Sequence, residues 1–247
     1  MSAVLNPETA AQDATLHQIQ NRVLWLAMQM IAHANQTRTG PDGVKVGGHM
    51  ASSASIVTIL TYLFFVYLRA DDRIAVKPHA SPVYHAIQFL LGNLAPEHLK
   101  SLRAFQGLQS YPSRMKDPDG VHFSTGSMGL GAAAPNFAAL TEEYARMHFG
   151  AAGCRERRYV SLVGDAELDE GAELVAVEDR QQLAAATLDA DAIRPEVAVL
   201  EHHEVGVLGL VDRAEALRIG QRHQQLVVLA VAAQPVAVAA APPAFWM

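Results

Sequence analysis

Residues 159–171 read Tyr-Val-Ser-Leu-Val-Gly-Asp-Ala-Glu-Leu-Asp-Glu-Gly, and no other stretch of this chain limits its fold as tightly. Residues 159–163 form a short apolar run closed by Gly164, the pattern of a strand covered on both faces. Such a strand belongs in a parallel sheet flanked by helices. In open α/β sheets, ligands sit beyond the carboxyl ends of the strands. At that end Gly164 lets the backbone approach a ligand closely. Asp165 then has two readings. It could hold Mg2+, which takes one or two carboxylates plus substrate phosphates, or it could cap the next helix.

The preceding residues alternate in the same manner. Residues 15–35 carry Ile19, Val23, Leu26 and Met30 at helical spacing. Gly47 and Gly48 interrupt, and residues 52–68 read as an apolar helix with Ser52, Ser53 and Ser55 as capping candidates. A short strand over 73–76 leads to a helix over 81–91, stopped by Gly92 and Asn93. Another short helix is expected over 96–105, and 107–127 is polar and turn-rich. Residues 127–149 start rich in Gly and Ala and continue as a long helix. The expected fold is α/β, a parallel sheet with helices on both faces.

Composition excludes several functions. The net charge of -6 argues against a nucleic-acid partner, which needs clustered Lys and Arg. The single cysteine, Cys154, rules out an internal disulfide framework and fits a cytoplasmic setting. The apolar stretch 56–68 falls short of the roughly 20 residues of a spanning helix, and 226–241 is broken by Gln234 and Pro235. Neither membrane insertion nor a signal peptide is expected.

The composition also breaks near residue 172. All four lysines and all five asparagines precede it, whereas 173–247 holds ten acidic residues against five arginines and is dominated by Ala and Val. The chain is therefore read as two parts, 1–172 and 173–247. The second is either a divergent helical appendage or the product of a disrupted reading frame. Residues 196–200 and 205–211 are its strand candidates.

Two further motifs could carry chemistry. Residues 124–131, Ser-Thr-Gly-Ser-Met-Gly-Leu-Gly, precede a helix. This could be a phosphate-cradling loop or a tight helix-packing turn. His49 follows Gly47–Gly48, and His79 lies in the run Lys-Pro-His-Ala-Ser-Pro at 77–82. Histidine suits proton transfer near neutral pH, but a single one is more often structural.

Taken in order, the blocks at 47–52 (Gly-Gly-His-Met-Ala-Ser), 77–82, 109–112 (Gln-Ser-Tyr-Pro), 127–131 (Ser-Met-Gly-Leu-Gly) and 164–170 (Gly-Asp-Ala-Glu-Leu-Asp-Glu) resemble the thiamine-diphosphate enzymes of the transketolase group. The likeness is above all to the homodimeric pyruvate dehydrogenase E1 component, and it covers about residues 15–172. The resemblance implies that Asp165 is a Mg2+ ligand, with Gly164, Ala166 and Glu167 around the diphosphate. Ser127, Met128 and Gly129 would line the cofactor cleft. His49 and His79 would handle protons of a small keto substrate, with Tyr111 a further cleft residue. It also implies a homodimer or association with a full-length relative.

Three departures stand out. Ala166 replaces the usual second glycine of the family's Gly-Asp-Gly. The family's later asparagine metal ligand has no counterpart, since the corresponding window holds Ile193, Arg194 and Pro195. A further domain with the glutamate that activates the cofactor is also expected and is not in this sequence. The expectation is the diphosphate-binding part of an enzyme acting on 2-keto acids or ketoses, inactive alone. The alternatives are a truncated non-catalytic remnant and a Mg2+/phosphate-binding module of other purpose.

Overall fold

The computed structural model describes residues 7–38, 45–126, 129–150, 157–164, 196–200 and 227–231. Helix α1 (Pro7–Ala32) opens the fold and continues as a π-helical turn, His33–Thr37. A proline at its first position is tolerated because that N–H has no intrahelical partner. Helices α2 (Met50–Ala54) and α3 (Val57–Tyr62) follow, and a second π turn, Leu63–Tyr67, leads toward strand β1 (Arg73–Ala75). Helix α4 (Ser81–Leu90), helix α5 (Leu130–Phe149) and strand β2 (Tyr159–Gly164) come next, then strands β3 (Glu196–Leu200) and β4 (Val227–Val231). The four strands are parallel in the order β1-β2-β4-β3. The described tail residues thus add two strands to the sheet. One is the candidate at 196–200, while 205–211 lies outside the described residues.

The alternation of β2 builds both layers. Val160 and Leu162 enter the main core with Ile74 and Val76, packed with Val23, Leu26 and Met30 of α1 and with Val83 and Ile87 of α4. Tyr159 and Val163 face the other way, with Ala132, Ala138 and Ala139 of α5. This is the period of two expected of a pleated strand, and it puts helices on both faces. Helix α4 is buried from Ser81 through Gln88, its polar Ser81, His85 and Gln88 included.

Ser161 shows why a polar residue sits in this strand. Pro135 lies inside α5 and has no N–H to offer the carbonyl of Gly131, four residues back. The buried Ser161 hydroxyl donates to that carbonyl instead.

The amino ends of β1 and β2 are locked by a buried ion pair. Arg158 donates to Asp72 from its backbone N–H at 2.9 Å, from Nε at 3.0 Å and from Nη2 at 2.5 Å. Nη2 also reaches the Tyr67 carbonyl at 2.7 Å, and the guanidinium lies 4.1 Å above the Tyr67 ring centroid. The Arg69 N–H adds another bond to Asp72 at 2.9 Å.

Three expectations need correction. The apolar stretch runs Met50–Tyr67, 18 residues, and by length and composition it could cross a membrane. Here Ile56, Leu60 and Leu63 are wholly buried in the protein core. The predicted serine caps are absent: α2 and α3 start without a side-chain cap bond. The expected helix at 96–105 stops after one 3-10 segment, Pro96–Lys100. Beyond it Arg103 turns left-handed (φ 56), its N–H bonds Leu108 O at 2.7 Å, and the Leu102 carbonyl is taken by Arg38. The chain folds back so tightly that a Cβ on Gly107 would lie 2.1 Å from Ser101 O. The helix stop at Gly92 is as expected. Gly92 has φ +80, with Gly92 N–H to Phe89 O at 3.0 Å and Asn93 N–H to Gln88 O at 2.9 Å, the two bonds of a Schellman cap.

Candidate active site

His79 is carried by the exit of β1. The strand ends at Ala75, and one 3-10 turn, Pro78–Ala80, holds the histidine before α4 begins. His49 is the extended residue that leads into α2, with φ -101 and ψ 121. Ser53 Oγ donates to the His79 carbonyl at 3.0 Å and so ties the two segments. Ser55 Oγ likewise donates to Ser52 O at 3.0 Å. Hydroxyls inside a helical turn bond carbonyls, because the nearby N–H groups are already committed.

The Gly47–Gly48 turn is seated by Asn35 from the first π turn. Asn35 Oδ1 accepts from Gly47 N–H at 2.6 Å, and Nδ2 donates to Gly48 O at 3.2 Å. Both glycines are required. A Cβ on Gly47 would lie 2.5 Å from Ile31 O, and Gly48 has φ +89 with the Arg103 guanidinium against it.

The 107–127 loop closes the third side. Asp117 gathers the N–H groups of Gln109 (2.8 Å) and Ser113 (2.7 Å), and burial raises its pKa. Thr125 Oγ1 donates to Val76 O at 2.8 Å, just past β1. The loop thereby delivers Tyr111, whose ring centroid is 5.9 Å from that of His79.

The result is a cleft of about 390 Å³ whose wall includes Lys45, His49, Ser53, His79, Arg103 and Tyr111. Among the described residues, no carboxylate lines it. Burial lowers the His79 pKa, and the positive groups Lys77, Arg103 and His49 lower it further. Both effects favour the neutral imidazole, whose free ring nitrogen can accept a proton.

Gly129 takes a left-handed conformation (φ 79) ahead of α5, which has no side-chain cap. Gly164 is the buried last residue of β2. A glycine at a parallel strand's carboxyl end and a helix start without a side-chain cap fit an anionic cofactor group. Ser127, Met128, Asp165, Ala166 and Glu167 lie outside the described residues. The structure thus brings His49, His79 and Tyr111 together. Sequence reasoning missed Asn35, Lys45, Ser53 and Arg103. Asn35 alone left a signal, as a polar residue at the end of an apolar helix.

A larger cleft of about 570 Å³ includes Arg69, Asp72, Tyr84, Asp119 and His122 in its wall. It contains neither His49 nor His79. His122 Nδ1 accepts from the Ile74 N–H at 3.1 Å. Burial, with Arg73 and Arg114, pushes its pKa down to about 4, consistent with that acceptor role.

Comparison with known proteins bears directly on this geometry. The pyruvate dehydrogenase E1 component of Cupriavidus necator is 32% identical over 170 residues, 65% of this chain and 18% of that protein. The protein of the same name from Escherichia coli is 31% identical over 161 residues, 62% of this chain and 18% of its own length. This chain resembles the pyruvate dehydrogenase E1 components. It spans about a fifth of their length. No protein-family model matches it. Among solved structures, transketolase from Campylobacter jejuni superposes with a TM-score of 0.64 at 19% identity, over 87% of this chain and 37% of that one. Transketolase from Leishmania mexicana gives 0.62 at 16% identity, over 87% and 36%. The fold is that of the transketolases, and the sequence is similar to a region of the pyruvate dehydrogenase E1 components.

Proposed function

We propose that this chain forms the diphosphate-binding part of a thiamine-diphosphate-dependent enzyme acting on 2-keto acids or ketoses. The observation that carries this reading is the meeting of His49 and His79 in one cleft at the carboxyl end of β1, beside a strand that ends in Gly164. Asp165 would hold Mg2+, with Gly164, Ala166 and Glu167 around the diphosphate and Ser127, Met128 and Gly129 along the cleft. When bound, the cofactor supplies a carbanion for a 2-keto group and a sink for the electrons released there. The protein supplies position and proton transfer. His79 and His49, which face the same space, would handle the protons that the substrate takes up and releases.

The proposed division at residue 172 separates the part with these motifs from the part that adds β3 and β4. Helix α5 leaves Phe137, Tyr144 and Met147 exposed, which supports a homodimer or association with a longer relative. Calorimetric titration of the chain with thiamine diphosphate, with and without Mg2+, tests the proposal. Binding that needs Mg2+ and is lost in Asp165→Ala is the expected result. Equal affinity in that variant would remove Asp165 from the metal site.

A second reading, a non-catalytic remnant that associates with a full-length relative, is favoured by one observation: no asparagine follows Asn136. Mg2+-independent or absent cofactor binding by folded protein would select it.

A further inference from the structure

Arg103 is built into the cleft wall with unusual care. It is one of two non-glycine residues with positive φ among those described, at 56°. Such backbone is costly and persists where the surroundings impose it, commonly at functional sites. Its Nη1 donates to Val46 O at 2.9 Å, while Nη2 makes only a long contact of 3.5 Å to Ser110 O. Gly48 provides the seat, since a Cβ there would lie 2.9 Å from Nη2 and 3.2 Å from Cζ. The Nε–H is buried and has no acceptor among the described residues. None of the ion pairs described involves Arg103. Lys45 stands on the same wall, and no carboxylate is among the described residues that line the cleft.

A half-buried guanidinium with an unmatched Nε–H, a weakly held Nη2 and no counter-charge among the described residues favours an anion from the cleft, and its planar fork suits a carboxylate. We propose that Arg103, assisted by Lys45, is an anion subsite that receives the carboxylate of a 2-keto acid and selects charged over uncharged keto compounds. This rests on the cleft being the substrate site of the reading above and narrows that reading to acids. The keto group then lies toward His79, on the side of Tyr111. Inorganic phosphate shares the anionic chemistry, so the test separates the two.

The test uses the full chain without cofactor or Mg2+. The His79 ring resonances, assigned with His79→Gln, are followed by NMR during titration with pyruvate, with uncharged methyl pyruvate and with inorganic phosphate at constant ionic strength. Pyruvate should shift them saturably. Methyl pyruvate should bind about tenfold more weakly or worse, as loss of a charge-assisted contact requires. Arg103→Gln should weaken pyruvate to a similar extent, and Arg103→Lys should fall between, because a point charge replaces a fork. Equal pyruvate affinity in wild type and Arg103→Gln would overturn the proposal. So would phosphate binding more tightly than pyruvate. If Arg103→Gln does not fold, Lys45→Gln, at an exposed position, carries the test. It should weaken pyruvate several-fold, and an unchanged affinity would be fatal. Failure of cofactor binding with an intact pyruvate response would strike the functional reading alone. Cofactor binding with no Arg103 effect would strike only the subsite.

Discussion

The two ends of the sheet obey opposite rules. At the amino ends of β1 and β2, Asp72 and Arg158 are buried and paired with each other. At the carboxyl ends, Lys45, His49, His79 and Arg103 share one cleft with no carboxylate among the described residues that line it. The first arrangement holds strands together, and the second keeps charge in reserve for something that arrives. Breaking one partner of a buried pair strands the other charge in low dielectric, so the amino end tolerates no loss. The carboxyl end gives up little stability when its side chains change, because those groups are not matched to each other.

The largest effect tests that contrast directly. Asp72→Ala should lose about 3–5 kcal/mol of unfolding free energy in urea titration, with Arg158 left unpaired. A loss as small as that of a cleft substitution would dissolve the distinction between the ends.

A pH series sharpens it. Burial alone would raise the Asp72 pKa, but the side-chain hydrogen bonds of Arg158 and the N–H groups of Arg69 and Arg158 outweigh it, so the folded value is lowered. Its contribution to stability is therefore complete above the unfolded value, about 3.9, and disappears as pH falls through the folded value. Denaturation midpoints should fall in acid more steeply for the wild type than for Asp72→Asn. Parallel acid limbs would show that other carboxylates carry the dependence.

Gly48→Ala probes the opposite end. It forces an alanine into left-handed backbone and against Arg103, and should cost about 1–3 kcal/mol. The same variant should displace Arg103 and weaken pyruvate binding, while the Asp72–Arg158 acid limb stays unchanged. Ser53→Ala is the mildest change. It removes one bond to the His79 carbonyl and should cost about 1 kcal/mol, with altered His79 NMR shifts as its marker. Unaltered shifts would mean that the turn after β1 holds His79 without help.

Much of this was legible beforehand because local patterns carry it. The spacing of Val23, Leu26 and Met30 marks the buried side of α1, and the run into Gly164 marks β2. His49 and His79 were legible as residue types beside glycine and proline turns. The helix expected at 96–105 failed because its end depends on Leu108 and Arg38, which are close only after folding. The serine caps failed for a similar reason, since Ser53 finds its acceptor 26 positions away at His79.

The sequence by itself determined the alternation of helices and strands, the glycine turns and the order of the motifs. Each follows from side-chain periodicity and backbone sterics within a few residues. Only the tertiary structure decided which polar groups meet. The pairing of Asp72 with Arg158, the seat that Gly48 gives Arg103 and the bond from Ser161 to Gly131 join residues far apart in the chain. Burial and hydrogen-bond geometry select such pairs, and neither exists until the layers have packed.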